Sequence, residues 1–234
     1  MELELVLKRG DREIIKVFSV PSSSHMTLLD ALWYIKENAD PTISFRSMCR
    51  AGVCGTCGVK ANGKPVLACS VDISSFGGRV RVEPLDGLRV IRDLVVDHEA
   101  LVERLRRNRV WMVPTSENKP LPPSLFRRLE RGYECIMCGL CDSVCPVLIQ
   151  NNSFGGPMAF AKAYPILLDP RNKDPRWQAL ALKENLINAC THCKNCSLAC
   201  PKSVMPEALI SLEENYLVSL GLLEKNRQED FGFL

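Results

Sequence analysis

Two cysteine runs limit what this chain can become. Cys135, Cys138, Cys141 and Cys145 stand in CIMCGLCDSVCP, and Cys190, Cys193, Cys196 and Cys200 stand in CTHCKNCSLACP. Each run reads C-x2-C-x2-C-x3-C-P. Two-residue gaps let three thiolates close on three irons of one 4Fe–4S cubane, and the fourth Cys, placed before a Pro, ordinarily reaches the other cluster of a pair. By that rule Cys135, Cys138, Cys141 and Cys200 hold one cluster, and Cys190, Cys193, Cys196 and Cys145 hold the second. The chain between the runs is then tied through metal at both ends, so it must fold back on itself.

A different spacing stands upstream. SMCRAGVCGTCGVKANGKPVLACS carries Cys49, Cys54 and Cys57 as C-x4-C-x2-C, with Cys69 further on. This is a 2Fe–2S spacing. Its first three thiolates come from a loop that must wrap the cluster closely. Gly52, Gly55 and Gly58 suit that, because a residue without Cβ takes positive φ and lets N–H groups approach sulfur. Asn62-Gly63 signals a hairpin that returns Cys69 beneath the loop. All 12 cysteines are used in this way. Structural zinc also takes clustered Cys, but usually as separated C-x2-C pairs. Clustering also disfavours disulfides, and thiolate clusters fit a reducing or anaerobic compartment.

The 234 residues suffice for one large domain or two smaller ones. Net charge is +3. Each cluster with its four thiolates carries about −2, so three clusters turn the balance to about −3, and nothing points to nucleic acid. The opening MELELVLKRG is acidic and alternating, without the basic and apolar regions of a signal peptide and without an Arg/Ser-rich transit segment. No stretch reaches the ~20 apolar residues of a membrane span, so the chain itself is expected to be soluble.

Residues 2–9 and 13–20 alternate as strands around Gly10-Asp11, with Leu3, Leu5 and Leu7, then Ile15, Val17 and Ser19, on the inner side. Thr27 with Asp30 starts a helix, ended by Pro41. Residues 79–83, RVRVE, form a later strand. From about 88 the spacing of Val90, Ile91, Leu94, Val95, His98, Leu101, Val102 and Leu105 predicts a helix. Residues 112–123 are a Pro-rich loop, and Ser124 caps a helix leading to Cys135. Further helices are expected over Ala159–Leu168, Trp177–Ala189 and Pro206–Leu222, before a loose polar tail, EKNRQEDFGFL.

The order of these three motifs resembles the iron–sulfur subunit of succinate dehydrogenase and fumarate reductase, respiratory complex II. The likeness runs through MCRAGVCGTCG, VEPLDGLRVIRDLVVD, YECIMCGLCDSVCP, FGGP with DPRNKDPR, and ACPKSVMP. It implies an α+β chain. A β-grasp plant-type 2Fe–2S ferredoxin domain over 1–99 precedes an all-α bacterial-ferredoxin-like domain with two cubanes over 100–234. It implies electron transport between FAD in a flavoprotein subunit and a quinone at membrane-anchor subunits, as in the tricarboxylic acid cycle. The implied place is the cytoplasmic face of a prokaryotic cell membrane, held peripherally. Carried over by position, Cys49, Cys54, Cys57 and Cys69 bind the 2Fe–2S cluster, and Cys135, Cys138, Cys141 and Cys200 a 4Fe–4S cluster. Cys145, Cys190 and Cys196 bind the third. No catalytic residue is expected, since the chain has neither a G-x-G-x-x-G after a strand nor a P-loop.

Two departures from that pattern stand out. The family usually has an apolar residue at Cys193, leaving a 3Fe–4S third cluster; here a fourth thiolate predicts 4Fe–4S. The quinone-site residues are also replaced. Val147 to Gln150 (VLIQ) stand where an aromatic-rich stretch is common, and Thr191 stands where a His follows the first Cys, with His192 one place later. Both changes look like the archaeal and epsilon-proteobacterial branch with atypical anchors. Two alternatives remain: the iron–sulfur subunit of a thiol-linked fumarate reductase, and a free polyferredoxin. Arg50 reads as facing the flavoprotein or as a solvated loop residue. His192 reads as a proton donor or as a surface His. The run from Arg104 to Arg109 reads as a solvated helix end or a face for acidic partners or lipid headgroups. Met137 is expected against its cubane, and Trp33, Trp111 and Trp177 in cores or interfaces. His25 and His98 show no ligand spacing.

Overall fold

The structure is a computed structural model describing residues 1–21, 25–116 and 120–224. The polar tail expected from Glu224 onward lies outside the described residues after its first position.

The first half is built on alternation. Strand β1 (Glu2–Arg9) sends Leu3, Leu5 and Leu7 into the core, and turns at Gly10-Asp11 into antiparallel β2 (Arg12–Ser19). Helix α1 (Leu28–Asn38) starts at the expected cap. The Thr27 hydroxyl accepts from the Asp30 amide at 3.2 Å, and the Asp30 carboxylate accepts from the Thr27 amide at 3.1 Å. Such a reciprocal cap is worth about 1 kcal/mol. Strands β3 (Gly58–Ala61) and β4 (Lys64–Leu67) flank Asn62-Gly63, both at positive φ, as a tight hairpin requires. Strand β5 (Arg79–Glu83) runs parallel to β1 and antiparallel to β3, giving the order β2-β1-β5-β3-β4. Leu28, Leu29, Leu32 and Ile35 of α1 share one core with the inward residues of this sheet, which makes a β-grasp.

Two readings of this half need correction. On β2, Ile15 and Val17 point outward, each 53% exposed. The inner phase is Ile14, Lys16 and Phe18, opposite Leu7, Leu5 and Leu3. Lys16 hides the pattern: its ammonium pairs with Asp40 at 2.7 Å, so its aliphatic stem can lie inside the edge of the sheet. Residues 88–98 are not helical. They form β6 (Val90–Arg92) and β7 (Val95–Val96), and α2 begins only at Glu99 (Glu99–Arg107). The buried Asp93 carboxylate draws the chain into a turn by accepting from the Arg9 guanidinium at 2.7 Å and the Ser44 amide at 2.9 Å.

The second half is helical: α3 (Pro123–Tyr133), α4 (Leu140–Ser143), α5 (Pro146–Gln150), α6 (Pro157–Leu167), α7 (Pro175–Glu184), α8 (Asn195–Leu198) and α9 (Pro206–Ser219). Prolines start most of them, since a missing N–H costs nothing in the first turn. For α3 the Pro122–Pro123 start replaces the expected Ser124 cap. Asp174 caps α7 by accepting from the Trp177 amide at 2.9 Å. That helix stops at Glu184, because Leu186 takes φ 61° before a short 3-10 turn at Ile187–Ala189. The buried core packs Phe154 and Phe160 edge to face and joins α6 to Ile210 and Leu217 of α9. Among the described residues no helix is long and apolar enough to cross a membrane.

Candidate iron–sulfur centres

The loop from Cys49 to Cys57 bends through positive φ at Arg50, Gly52 and Gly55. That bending turns amides toward sulfur. The Cys49 sulfur accepts from the amides of Ala51 and Cys54, each at 3.4 Å, and the Cys69 sulfur accepts from the Gly52 amide at 3.3 Å. The hairpin does return Cys69: its sulfur lies 3.4 Å from that of Cys57. A Cβ at Gly52 would lie 2.7 Å from the Ser70 hydroxyl, and its φ of 64° favours glycine there. Backbone amides of the loop, that of Ala51 first, bring the Cys49 thiol down to about 6. Burial pushes the Cys57 thiol up to about 11.

The two later runs meet across the helical half. One cleft, about 330 Å³ with the space open to solvent included, is lined by Cys135, Cys138, Cys141 and Cys200, with Ile136, Met158 and Val204 around them. A second, about 310 Å³ on the same measure, is lined by Cys145, Cys190, Cys193 and Cys196, with Phe154 and Ile210. The chain thus brings together each crossed set of four. Both C-x2-C-x2-C loops carry the same strain: Met137 and His192 take φ 54° and 51°, and Gly139 and Lys194 take 75° and 65°. A non-glycine residue in that region costs about 1–2 kcal/mol, and its recurrence gives the two loops the same backbone shape.

The donor chemistry suits clusters. Burial pushes the thiols of Cys138 and Cys190 to about 12 and that of Cys196 to about 11. Thiolates held there need nearby positive charge, which iron supplies. Among the described residues no three His, Cys, Asp or Glu side chains converge on a single ion. The sulfurs of each set face a common space between the two runs.

The three loops touch. A Cβ built on Gly55 would lie 2.8 Å from the Cys138 Cβ and 3.0 Å from the Ile136 carbonyl oxygen. Cys57, Cys69 and Cys138 share one buried core, and Cys141 and Cys196 share another with Leu101 and Met158. Beside Cys141, the buried Asp142 accepts from Arg104 at 2.9 Å and from the Met158 amide at 2.9 Å, locking α2 and α6 against the first run. Lys162 donates to the carbonyls of Tyr133 and Cys135 at 3.2 and 3.1 Å. Asp142 and Lys162 were not singled out from sequence, and Arg104 only as one end of the 104–109 run; a charged residue directly after a ligand Cys was the one available signal for Asp142.

Several other expectations change. The 104–109 run is largely pinned inward, not solvated. Arg104 is buried, Arg107 donates to the Asn152 and Phe154 carbonyls, and Arg109 donates to the Trp177 carbonyl with its guanidinium 4.7 Å from that ring. The reason is a set of acceptors distant in sequence: the Asp142 carboxylate for Arg104, the Asn152 and Phe154 carbonyls for Arg107, and the Trp177 carbonyl for Arg109. Met137 is 43% exposed and takes no part in lining its cavity; Ile136 and Met158 do that. Arg50 stacks 5.4 Å from the Trp33 ring, itself edge-on to Phe45. Trp111 packs edge-on against Trp177. His192 sits between two carboxylates, Nδ1 3.3 Å from Glu207 and Nε2 3.0 Å from Glu214.

Fold and cysteine geometry together define a multi-cluster iron–sulfur protein. Residues 6–103 match a family described as a 2Fe-2S iron-sulfur cluster binding domain, and residues 131–204 match a 4Fe-4S dicluster domain. The fumarate reductase iron-sulfur subunit of Haemophilus influenzae is 34% identical over 214 residues, 84% of each chain. That of Mycobacterium tuberculosis is 38% identical over 205 residues, 83% of this chain and 82% of its own. A chain of the Mycobacterium smegmatis Sdh1 complex in the apo form superposes with a TM-score of 0.84 at 25% identity, covering 93% of this chain and 95% of that one. The chain belongs to the iron–sulfur subunits of fumarate reductase and succinate dehydrogenase. Its work is electron transfer within that oxidoreductase, through 2Fe–2S and 4Fe–4S centres.

Proposed function

We propose that Cys49, Cys54, Cys57 and Cys69 hold the 2Fe–2S cluster, that Cys135, Cys138, Cys141 and Cys200 hold one 4Fe–4S cluster, and that Cys145, Cys190, Cys193 and Cys196 hold a third cluster, also 4Fe–4S. Bound there, the clusters relay single electrons between the FAD of a flavoprotein subunit and a quinone or other acceptor at a membrane anchor. The protein's residues set the spacing and the surroundings of each centre. The observation that carries this reading is the meeting of each crossed cysteine set around its own cavity. The close approach of Gly55 to Cys138 supports the order, with the N-terminal centre feeding the first cubane. A division into residues 1–99 and 100–234 fits the change from sheet to helix at Glu99.

Exposed apolar residues at the two ends of this row support two partner faces. Met48 just before the first loop and Val53 within it, 75% and 57% exposed, suit a flavoprotein. Ile149 after the first run and Leu198 within the second, 60% and 85% exposed, suit an anchor on the cytoplasmic side of a cell membrane. Purifying the native protein tests this. A flavin-bearing chain and a membrane-bound chain should co-elute with it. A fully loaded chain that elutes alone from a native extract would favour a free electron carrier.

A further inference from the structure

Hydrogen-bond donors are distributed unevenly over the sulfurs of the N-terminal loop. Cys49 accepts two amides, and Cys69 accepts one, with the Ser70 hydroxyl 3.6 Å away. Among the described residues Cys54 accepts no backbone amide. Its polar neighbour is the Thr56 hydroxyl, 3.3 Å from the sulfur. A metal-bound thiolate carries no proton, so in that pair the hydroxyl donates and the sulfur accepts. Thr56 and Cys54 are both half-buried, which leaves this contact less screened than one in open water.

We infer that Thr56 is a positioning and tuning residue that raises the reduction potential of the 2Fe–2S centre through its bond to Cys54. The inference rests on Cys54 being a cluster ligand. When one electron enters, negative charge on the Cys54 sulfur grows; the hydroxyl proton stays on Thr56 and is drawn closer. A donor that interacts more strongly with the reduced form favours reduction, as hydrogen bonds to cluster sulfurs do generally. The neighbours make Thr56 the point where this can be altered. Gly55 is fixed by Cys138, and Cys57 is buried, whereas the Thr56 side chain lies beside solvent. A Val at this site keeps the shape and β-branching while removing the donor.

The test is an EPR-monitored redox titration of the intact complex carrying Thr56→Val or Thr56→Ser. The expected result is that T56V disfavours reduction of the 2Fe–2S centre by about tenfold, about 59 mV for one electron, while T56S restores the wild-type midpoint. The rhombic 2Fe–2S signal should keep its intensity in both. An unchanged midpoint in T56V with that signal intact would overturn the role of Thr56 and leave the ligand assignment standing. Absence of any 2Fe–2S signal in the wild type would instead remove the ligand assignment. Thr56→Ala serves as a second donor-free variant. Loss of the cluster in both T56V and T56A, with T56S loaded, would also overturn the proposal, because the hydroxyl would then be needed for assembly and not for tuning.

Discussion

Replacing Gly55 with alanine probes the joint between the two halves. Gly55 holds φ 73°, and its added methyl would sit 2.8 Å from the Cys138 Cβ and 3.0 Å from both the Cys138 Cα and the Ile136 carbonyl oxygen. The backbone term is about 1–2 kcal/mol for a side chain in the left-handed region. Forcing a methyl into a packed contact adds about 1–3 kcal/mol. The neighbours are backbone and a ligand side chain, which cannot swing aside as a flexible tip would. The loops must therefore separate by several tenths of an ångström, and the protein should lose about 2–5 kcal/mol of stability. Anaerobic denaturant unfolding followed by circular dichroism reads the loss. Microwave power saturation of the reduced 2Fe–2S signal reads the separation, because a nearby reduced cubane speeds its relaxation. The expected variant is less stable and saturates more easily, with both clusters present. Wild-type stability together with unchanged saturation would refute the claim that Gly55 and Cys138 form the contact between the centres.

Two further substitutions follow from the same geometry. Cys200→Ser should abolish the first cubane and spare the second, and Cys145→Ser should do the reverse. Iron counts with EPR distinguish them, and loss of the second cluster in Cys200→Ser would contradict the crossing. Asp169→Asn should destabilise the helical half by about 1–2 kcal/mol, discounted because Arg171 is partly exposed. The Asp169 carboxylate is held below its usual range mainly by the Arg171 guanidinium, at 2.9 and 2.6 Å, and also accepts from Tyr133 at 3.1 Å. A depressed folded value means the stabilisation is present above the unfolded pKa of about 3.9 and fades as pH falls through the folded one. The gap between wild type and variant should therefore be equal at pH 6 and pH 8. A gap that closes at pH 8 would contradict this.

Much of the site was legible because ligand spacing is a local property. The three cysteine motifs, the Asn62-Gly63 hairpin and the Thr27–Asp30 cap are each set by residues close together in the chain, and the structure has the hairpin and the cap where they were expected. Long-range polar partners were not legible. Lys16 looked like an outward residue until Asp40 was seen beside it, and the 88–98 segment looked helical because nothing local reveals that Arg9 and Ser44 hold Asp93. The Arg104–Asp142 pair failed for the same reason: the run of arginines has the composition of a solvated helix end, and its partners lie dozens of residues away. The start of α3 was displaced because Pro122–Pro123 opens the helix ahead of the expected Ser124 cap.

Every cysteine of this chain is proposed to serve one of three iron–sulfur clusters. Anaerobic purification followed by metal analysis, with EPR of the oxidised protein, tests it most directly. About ten iron atoms per chain, no stoichiometric zinc and no trinuclear signal are expected. Stoichiometric zinc, or iron far below that number, would contradict the account; about nine iron atoms with a full-occupancy 3Fe–4S signal would show that Cys193 is not a ligand.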